Sequence, residues 1–229
     1  MAHPRHVLVT GANRGLGLEF ARQYAVDGWR VIACCRAPKE APELKKLDGK
    51  VEVHALDVTS LDSIRHLAKA LAGTPIDVLI NNAGIHGDRR PFGETDAALW
   101  RKIFDVNTIA PAQILAALLD NVAGSAQRKV ANISSKVGSI GDGPSGGSYA
   151  YRTSKTALNM AMVNAAHELK ARGLTILLLH PGWVQTDMGG PTAPVTIEQS
   201  IAGLRRVIDK ATEAETGHFY DYTGRQLPW

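Results

Sequence analysis

The sequence predicts an α/β fold in which helices cover both faces of a parallel sheet. Short aliphatic or β-branched runs alternate with longer amphipathic stretches along the 229 residues. The short runs are nearly continuously apolar, as strands buried on both faces are. A strand followed by a helix, repeated, favours parallel pairing through right-handed crossovers. The length favours one domain spanning residues 1–229.

Six of the short runs are predicted to be strands. They cover residues 7–10, 30–35, 51–58, 76–81, 129–134 and 174–180. After the third run, apolar residues recur at helical spacing from Leu61 to Leu71. Thr59 or Ser60 is the expected N-cap of this helix, and Gly73 is its expected stop.

Two longer stretches, residues 95–122 and 148–172, are predicted to be the largest helical segments, and both are rich in Ala and Leu. We expect them to cover the sheet. Because small side chains let helices approach closely, these stretches are equally suited to the interface of a homodimer or homotetramer. The glycine-dense residues 138–147 connect a strand to the second stretch, which is typical of a loop beside a site.

The composition excludes several classes of function. The 26 basic and 22 acidic residues give a formal net charge of +4, and the basic residues are scattered, so nucleic-acid binding is not expected. No apolar run approaches the roughly 18 residues of a membrane span. Cys34 and Cys35 are adjacent, too close for an ordinary disulfide. Without a disulfide or an export signal, we expect a cytoplasmic protein.

A glycine-rich segment follows the first strand and leads directly into a helical pattern. Glycine lets the backbone turn tightly and approach a pyrophosphate, which the free N–H groups and dipole of a helix N-terminus favour. Three glycines alone could form only a tight turn, but their place at the first strand–helix junction predicts a dinucleotide site. The candidate contacts are Gly11, Asn13, Arg14, Gly15, Leu16 and Gly17.

The end of the second strand indicates which dinucleotide is bound. An acidic residue there would bond the ribose 2′-OH and repel a 2′-phosphate, but the strand ends in Cys34-Cys35-Arg36. Arg36 can bind a phosphate through charge-assisted hydrogen bonds, and Arg14 can add a second positive charge. The sequence therefore predicts NADP(H) rather than NAD(H). The alternative is that Arg36 is an ordinary solvated residue.

Two further segments lie at the ends of the third and fourth strands, and both belong to the carboxyl edge of the sheet. Open α/β folds bind their ligands at this edge. The acid at the end of the third strand could instead be a helix cap. Amides followed by small residues, as after the fourth strand, suit a backbone packed against a ligand. The candidate cofactor contacts here are Asp57, Val58, Asn81, Ala83 and Gly84.

A tyrosine and a lysine four residues apart indicate acid–base chemistry. Tyr151 and Lys155 would lie one above the other on one helix face. A phenol has a pKa of about 10, and a neighbouring ammonium stabilises its anion and brings the pKa nearer to neutrality. Helices also carry this pair by chance, so it has weight only beside the other motifs.

Together these motifs resemble the short-chain dehydrogenase/reductase family in kind and in order, over nearly the whole chain. The matching residues are Thr10-Gly11, Gly15-Leu16-Gly17, residues 81–84, Asn107, Ser135, Tyr151, Lys155 and Pro181-Gly182. Three further segments resemble the branch that contains Sniffer-type carbonyl reductases and bacterial C-factor-like proteins. These are residues 149–159, residues 180–190 and the ending Leu227-Pro228-Trp229.

The resemblance implies a doubly wound Rossmann fold and hydride transfer between a nicotinamide and a carbonyl or alcohol. Tyr151 would exchange a proton with the substrate oxygen, while Lys155 would lower the Tyr151 pKa and hold the nicotinamide ribose. Ser135 would hydrogen-bond the substrate oxygen. Asn107 would help to place Lys155 through water.

The resemblance also assigns the segment after the sixth strand to the cofactor. Thr186 would reach the nicotinamide carboxamide or a phosphate, with a cap for a short helix as its alternative role. The implied contacts are Pro181, Gly182, Val184 and Thr186. Four residues from loops at the same edge could wall an apolar substrate pocket or serve only in packing. They are Ile85, His86, Trp183 and Met188.

One departure from the family pattern concerns the serine. Ser135 lies 16 positions before Tyr151, farther than is usual in the family. We favour Ser135 because it ends a strand and is followed by a family-like Lys-Val-Gly. The alternatives are Ser134, Ser139 and Ser148.

The predicted function is thus NADP(H)-dependent reduction of a small-molecule carbonyl, an aldehyde, ketone or quinone, to an alcohol, with Tyr151 as proton donor. The alternative is an NADP-binding sensor or signalling protein with little catalytic activity. The histidines lack metal-ligand spacing, so no metal is expected.

Overall fold

The structure is a computed structural model that describes residues 4–87, 89–142 and 146–229. Within these ranges seven strands form one sheet in the spatial order third, second, first, fourth, fifth, sixth, seventh, and all neighbours are parallel. The strands are β1 (His6–Thr10), β2 (Arg30–Cys35), β3 (Lys50–Ala55), β4 (Val78–Asn81), β5 (Lys129–Ile133), β6 (Thr175–His180) and β7 (Phe219–Asp221).

Helices pack on both faces of this sheet. They are α1 (Gly15–Val26), α2 (Pro42–Lys45), α3 (Leu61–Ala70), α4 (Ala97–Phe104), α5 (Ala110–Ala117), α6 (Leu119–Ala123), α7 (Tyr149–Glu168) and α8 (Ile197–Lys210). One core cluster joins α1 and α8 to one face through residues such as Phe20 and Leu204. The other joins α3, α5 and α7 to the opposite face through Leu67, Ile114 and Leu158. The predicted doubly wound Rossmann fold is confirmed.

The predicted strands agree with the structure best where the sheet is buried. β2 covers the predicted residues 30–35. The third strand, predicted for residues 51–58, ends at Ala55, and its residues are half-buried or exposed rather than buried on both faces. The reason is that β3 is an edge strand with one neighbour. β7, at the other edge, has no predicted counterpart, because its three residues are too few to form an apolar run.

Side-chain caps define the beginnings of α3 and α8. Ser60 is the cap of α3, since its hydroxyl accepts a hydrogen bond from the N–H of Ser63 at 3.2 Å, which decides between the two predicted residues. α8 was not predicted, although Thr196 and Gln199 form a capping box at its start. That spacing, followed by apolar residues at helical intervals, is a signal that the sequence does contain.

The predicted helical stretch 95–122 is divided by a wider turn. α4 leads into a π-helical turn, Asp105–Ile109, and α5 continues from it. Such turns insert one residue into a helix and often mark functional sites. Asn107 lies in the middle of this one. The second predicted stretch is α7 with a short extension. No helix in the described ranges has the length and apolarity needed to cross a membrane.

The chain reverses its winding direction between β1 and β4. From β1 the sheet extends through β2 to β3, whereas from β4 it extends the opposite way. At such a switch point the loops that follow the two central strands diverge and leave a crevice at the carboxyl edge of the sheet. The glycine segment after β1 and residues 81–84 after β4 border this crevice.

Candidate active site

The glycine segment after β1 forms a turn that larger residues could not form. Gly11 and Gly15 have φ values of 64° and 53°, in the left-handed region. A Cβ on Gly17 would lie 2.2 Å from the backbone oxygen of Gly11. The turn therefore brings the N-terminus of α1 close to the crevice, where its free N–H groups can face an anion.

Asn82 fastens this turn to the end of β4. Its Nδ2 donates to the backbone oxygens of Thr10 at 2.9 Å and Gly11 at 3.2 Å. In return, Thr10 Oγ1 accepts from the backbone N–H groups of Asn82 and Ala83, each at 3.0 Å. Asn82 is not among the predicted contacts, yet it joins the two loops that the switch point separates.

The side chain of Asn81 lies inside the sheet. Asn81 is 3% exposed, and its Nδ2 donates to Asn132 Oδ1 at 2.9 Å. The cofactor contact predicted for Asn81 would therefore have to be made by its backbone. Gly84 does lie among the predicted site residues, because a Cβ there would be 3.4 Å from Asn107 Oδ1 and 3.7 Å from Lys155 Nζ.

The two arginines predicted to bind a phosphate are both exposed. Arg14 precedes α1 and forms an ion pair with Asp187, with 3.1 Å between Nη1 and Oδ2. This pair joins the glycine turn to the segment after β6. Arg36 follows β2 directly, as predicted. Asp187 is a neighbour of the predicted site that sequence reasoning missed.

Asp57 shapes the turn between β3 and α3. Its Oδ1 accepts from the N–H of Thr59 at 2.9 Å and from the Thr59 hydroxyl at 2.7 Å. These bonds, aided by the positive charge of Arg36, hold the pKa of Asp57 below its usual range. Val58 packs against the core cluster beneath α3. Asp57 is therefore not the cap of α3, a role that Ser60 fills, but it closes the turn that precedes that helix.

Tyr151 lies in the first turn of α7, and Ser135, which follows β5, is a neighbour of its hydroxyl. Burial raises the pKa of Tyr151 to about 12, and the nearby Ser135 side chain opposes that rise. The expected lowering of this pKa is thus not seen, because desolvation of the phenolate outweighs the other influences. The phenol is protonated at neutral pH.

Lys155 lies one turn farther along α7 and is 4% exposed. Its Nζ donates to the backbone oxygen of Ile133 at 2.8 Å and lies 5.7 Å from the centre of the Tyr151 ring. The predicted approach of the two side chains is confirmed. Burial lowers the pKa of Lys155 to about 8, because the charged ammonium has lost its hydration.

The four candidate serines have different partners. Ser134 donates to Asn159 Oδ1 at 2.6 Å, and the Ser139 hydroxyl accepts from the N–H of Asp142 at 3.0 Å. Ser148 has a φ of 48° just before α7 and makes no side-chain cap. Ser135 Oγ accepts from the N–H of Val137 at 3.4 Å, and of the four serines it is the one that influences the pKa of Tyr151.

Asn107, in the π-helical turn, holds the loop that follows β4. Its Oδ1 accepts from the N–H of Ile85 and its Nδ2 donates to the Ile85 oxygen, both at 2.9 Å. The same Nδ2 is 3.1 Å from the Ser154 hydroxyl on α7. Asn107 thus connects the β4 loop with the helix that carries Tyr151 and Lys155.

The segment after β6 folds back on itself beside the glycine turn. Thr186 Oγ1 accepts from the N–H of Gly189 at 3.1 Å, which is a turn-capping contact. Val184 is buried and pairs with Val195. Gly182 has a φ of 89°, and a Cβ there would lie 3.0 Å from the ring of Tyr222.

The rim of the crevice carries large apolar side chains. Trp183 and Met188 are 56% and 50% exposed, while Ile85 and His86 are half-buried. The predicted apolar wall therefore has two members that face solvent. Across the described residues, no three His, Cys, Asp or Glu side chains group as a metal site would require.

Comparison with known proteins identifies the family. A model of the short chain dehydrogenase family matches residues 5–195. The chain belongs to the short-chain dehydrogenase family. C-signal of Myxococcus xanthus is 42% identical over 166 residues, which are 72% of this chain and 100% of that protein.

Two solved structures of this short-chain dehydrogenase family superpose over almost the whole chain. NADPH-bound carbonyl reductase from chicken fatty liver has a TM-score of 0.92 and 34% identity, covering 100% of both chains. Sniffer, a carbonyl reductase of D. melanogaster, has a TM-score of 0.93 and 31% identity, covering 99% of this chain and 100% of that one. The predicted family and its Sniffer-type branch are confirmed.

Part of the glycine-dense segment 138–147 lies outside the described residues, namely residues 143–145. On its described side, Lys136 Nζ lies 2.9 Å from Asp142 Oδ2. This ion pair closes the turn that follows Ser135.

Proposed function

We propose that this protein is an NADP(H)-dependent carbonyl reductase. The observation that carries the proposal is the grouping of three side chains in one crevice: a protonated Tyr151, Ser135 near its hydroxyl and the buried ammonium of Lys155 beside its ring. A phenol with a hydrogen-bonding hydroxyl next to it can serve a carbonyl oxygen that needs a proton. The NADPH-bound relative from chicken liver supports the choice of cofactor.

The crevice suits a dinucleotide. The glycine turn leaves no room for side chains between its backbone and the start of α1, so N–H groups of α1 are free for a pyrophosphate. An ammonium has three donors, and the bond to Ile133 uses one of the three on Lys155. The others can hold ribose hydroxyls. Arg36 and Arg14 would bind the 2′-phosphate.

When bound, NADPH supplies a hydride to the carbonyl carbon. Tyr151 gives its proton to the carbonyl oxygen, so that the carbonyl becomes an alcohol and the tyrosine becomes a phenolate. Ser135 donates a hydrogen bond to the same oxygen and holds it in line with the phenol. Lys155 stabilises the phenolate that remains, because its positive charge is close and poorly solvated. The raised pKa of Tyr151 favours reduction over oxidation, since the phenol still carries its proton at pH 7.

A signalling protein with little catalytic activity is the second candidate, because one relative bears the name C-signal. The two proposals differ in what the crevice must contain. A sensor needs the nucleotide cradle but has no use for a proton donor beside a hydrogen-bonding serine. The placement of Ser135 near the Tyr151 hydroxyl therefore favours the reductase.

The decisive experiment follows NADPH absorbance with a panel of aldehydes, ketones and quinones. Tyr151→Phe should lose at least about 100-fold in turnover, the usual contribution of a general acid, while its affinity for NADP⁺ stays unchanged. Tyr149→Phe is the matched control, because its ring contacts Phe92 rather than the site. Turnover of Tyr151→Phe equal to that of Tyr149→Phe would refute the mechanism, and binding without turnover of any carbonyl would favour the sensor.

A further inference from the structure

We propose that His86 is a positioning residue that holds the ring of Tyr151 by ring-to-ring contact. The centres of the two rings are 4.5 Å apart and their planes are inclined by 34°. The catalytic role of His86 rests on the proposed function, but the contact between the two rings can be tested separately. It gives the loop after β4 a role in aiming the proton donor.

The backbone on both sides of His86 is fixed. On one side, the Asn107 side chain grips both the N–H and the oxygen of Ile85. On the other side, Gly87 is pressed against α4 and α7, since a Cβ there would be 2.6 Å from Ile103 Cδ1 and 3.9 Å from Ala150 Cβ. His86 thus has little freedom to move away from α7.

The imidazole itself is also held in place. Its Nδ1 lies 2.6 Å from the backbone oxygen of Gly87. Because a carbonyl oxygen can only accept, Nδ1 carries the hydrogen, and the neutral ring has its lone pair on Nε2. One ring orientation is therefore selected, and in it the imidazole is inclined by 34° to the neighbouring phenol ring.

Tyr151 needs such support because a polar neighbour of its hydroxyl does not fix the plane of its ring. Ser135 is near the oxygen, but the ring can still tilt about that point. The Lys155 ammonium lies 5.7 Å from the ring centre, too far for close packing. Aromatic pairs at the His86 distance are favourable, so the imidazole supplies the missing constraint. Small errors in the placement of a reacting group are costly in rate.

Three substitutions separate the ring from its hydrogen bond. His86→Phe keeps a ring and loses the donor to Gly87, His86→Asn keeps a donor and loses the ring, and His86→Ala loses both. We expect kcat to fall about tenfold in the Ala and Asn variants and less than about threefold in the Phe variant. KM and NADP⁺ affinity should stay within about twofold in all three, since a positioning residue acts on the reacting step. Phe92→Ala, in the same loop, is the control and should keep the kcat of the native chain.

A second readout does not depend on turnover. In protein with isotope-labelled tyrosine, the Tyr151 resonance is identified by its loss in Tyr151→Phe. It should shift in the Ala and Asn variants of His86 and shift least in the Phe variant, because an aromatic neighbour changes the local magnetic field. An unshifted resonance in His86→Ala would overturn the contact, and equal loss of kcat in the Phe and Ala variants would overturn the role of the ring. A native protein that reduces no carbonyl would refute the proposed function, while the resonance would still decide this inference.

Discussion

Replacement of Lys155 by Met should stabilise the protein while abolishing its turnover. Burial lowers the pKa of Lys155 from 10.5 to about 8, and at roughly 1.4 kcal/mol per pH unit the buried charge costs about 3 kcal/mol. The substitution also deprives the Ile133 oxygen of its donor, which costs about 1 kcal/mol. The expected gain in the free energy of unfolding at pH 7 is therefore about 2 kcal/mol. For a chain of this length that corresponds to a rise in Tm of about 4–8 °C.

The gain should disappear at alkaline pH. At pH 7 Lys155 is protonated in both states, so the full cost of burying its charge is present. Between pH 8 and 10.5 the folded lysine is neutral while the unfolded one still holds a proton, so unfolding takes up a proton and the native chain becomes more stable as pH rises. At about pH 9.5 it regains about 2 kcal/mol, and the two proteins become equally stable.

Denaturant titrations of both proteins at pH 7 and 9.5 measure this difference directly. Lys102→Met is the control, because Lys102 is exposed on α4, and it should change stability by less than about 0.5 kcal/mol at both pH values. The reasoning would be refuted by a Lys155→Met protein that is less stable than the native chain at pH 7. A stability gap that does not vary with pH would refute it equally.

Four substitutions test the cofactor cradle. Gly17→Ala places a methyl group 2.2 Å from a backbone oxygen and should lower the free energy of unfolding by about 3 kcal/mol. Gly84→Ala, which has room for a methyl group, should lower it by less than about 1 kcal/mol. Similar melting temperatures of the two variants would contradict this. Arg36→Asp should weaken NADPH binding at least about tenfold and improve NADH binding, since the charge facing a 2′-phosphate is reversed. Fluorescence titration measures both affinities, and unchanged values would show that Arg36 is merely solvated. Asp187→Asn frees Arg14 from its ion pair and should tighten NADPH binding about two- to fivefold, the value of one exposed pair, an effect that high salt should erase.

The features predicted correctly from the sequence are those that local chemistry determines. The glycine turn requires φ values that Gly11 adopts freely, and the four-residue spacing alone places Lys155 beside Tyr151. By contrast, the direction of Asn81 depends on where β4 ends, because alternate residues of a strand face opposite sides. The contact of His86 with Tyr151 joins a loop to a distant helix and leaves no periodic trace.

The remaining differences have similar causes. The strands are predicted from apolar runs, and β7 is too short to show one. The helices are predicted from apolar residues at helical spacing, and the π-helical turn interrupts that spacing. Burial decides the Tyr151 pKa, and burial is a property of the assembled site rather than of a pair of residues. The cytoplasmic location and the homodimer or homotetramer stay predictions.

The π-helical turn Asp105–Ile109 determines whether Asn107 can bond the loop after β4, and this turn is either present or absent. Each residue of a helix advances its neighbours by about 100° around the axis, so deleting one amino acid there would restore a regular helix and swing Asn107 or all of α5 to another side. Smaller rotations are not available, because a helix can gain or lose only whole residues. Segments exchanged between this protein and its relatives should therefore be joined outside this turn, where an error in alignment is not converted into a rotation.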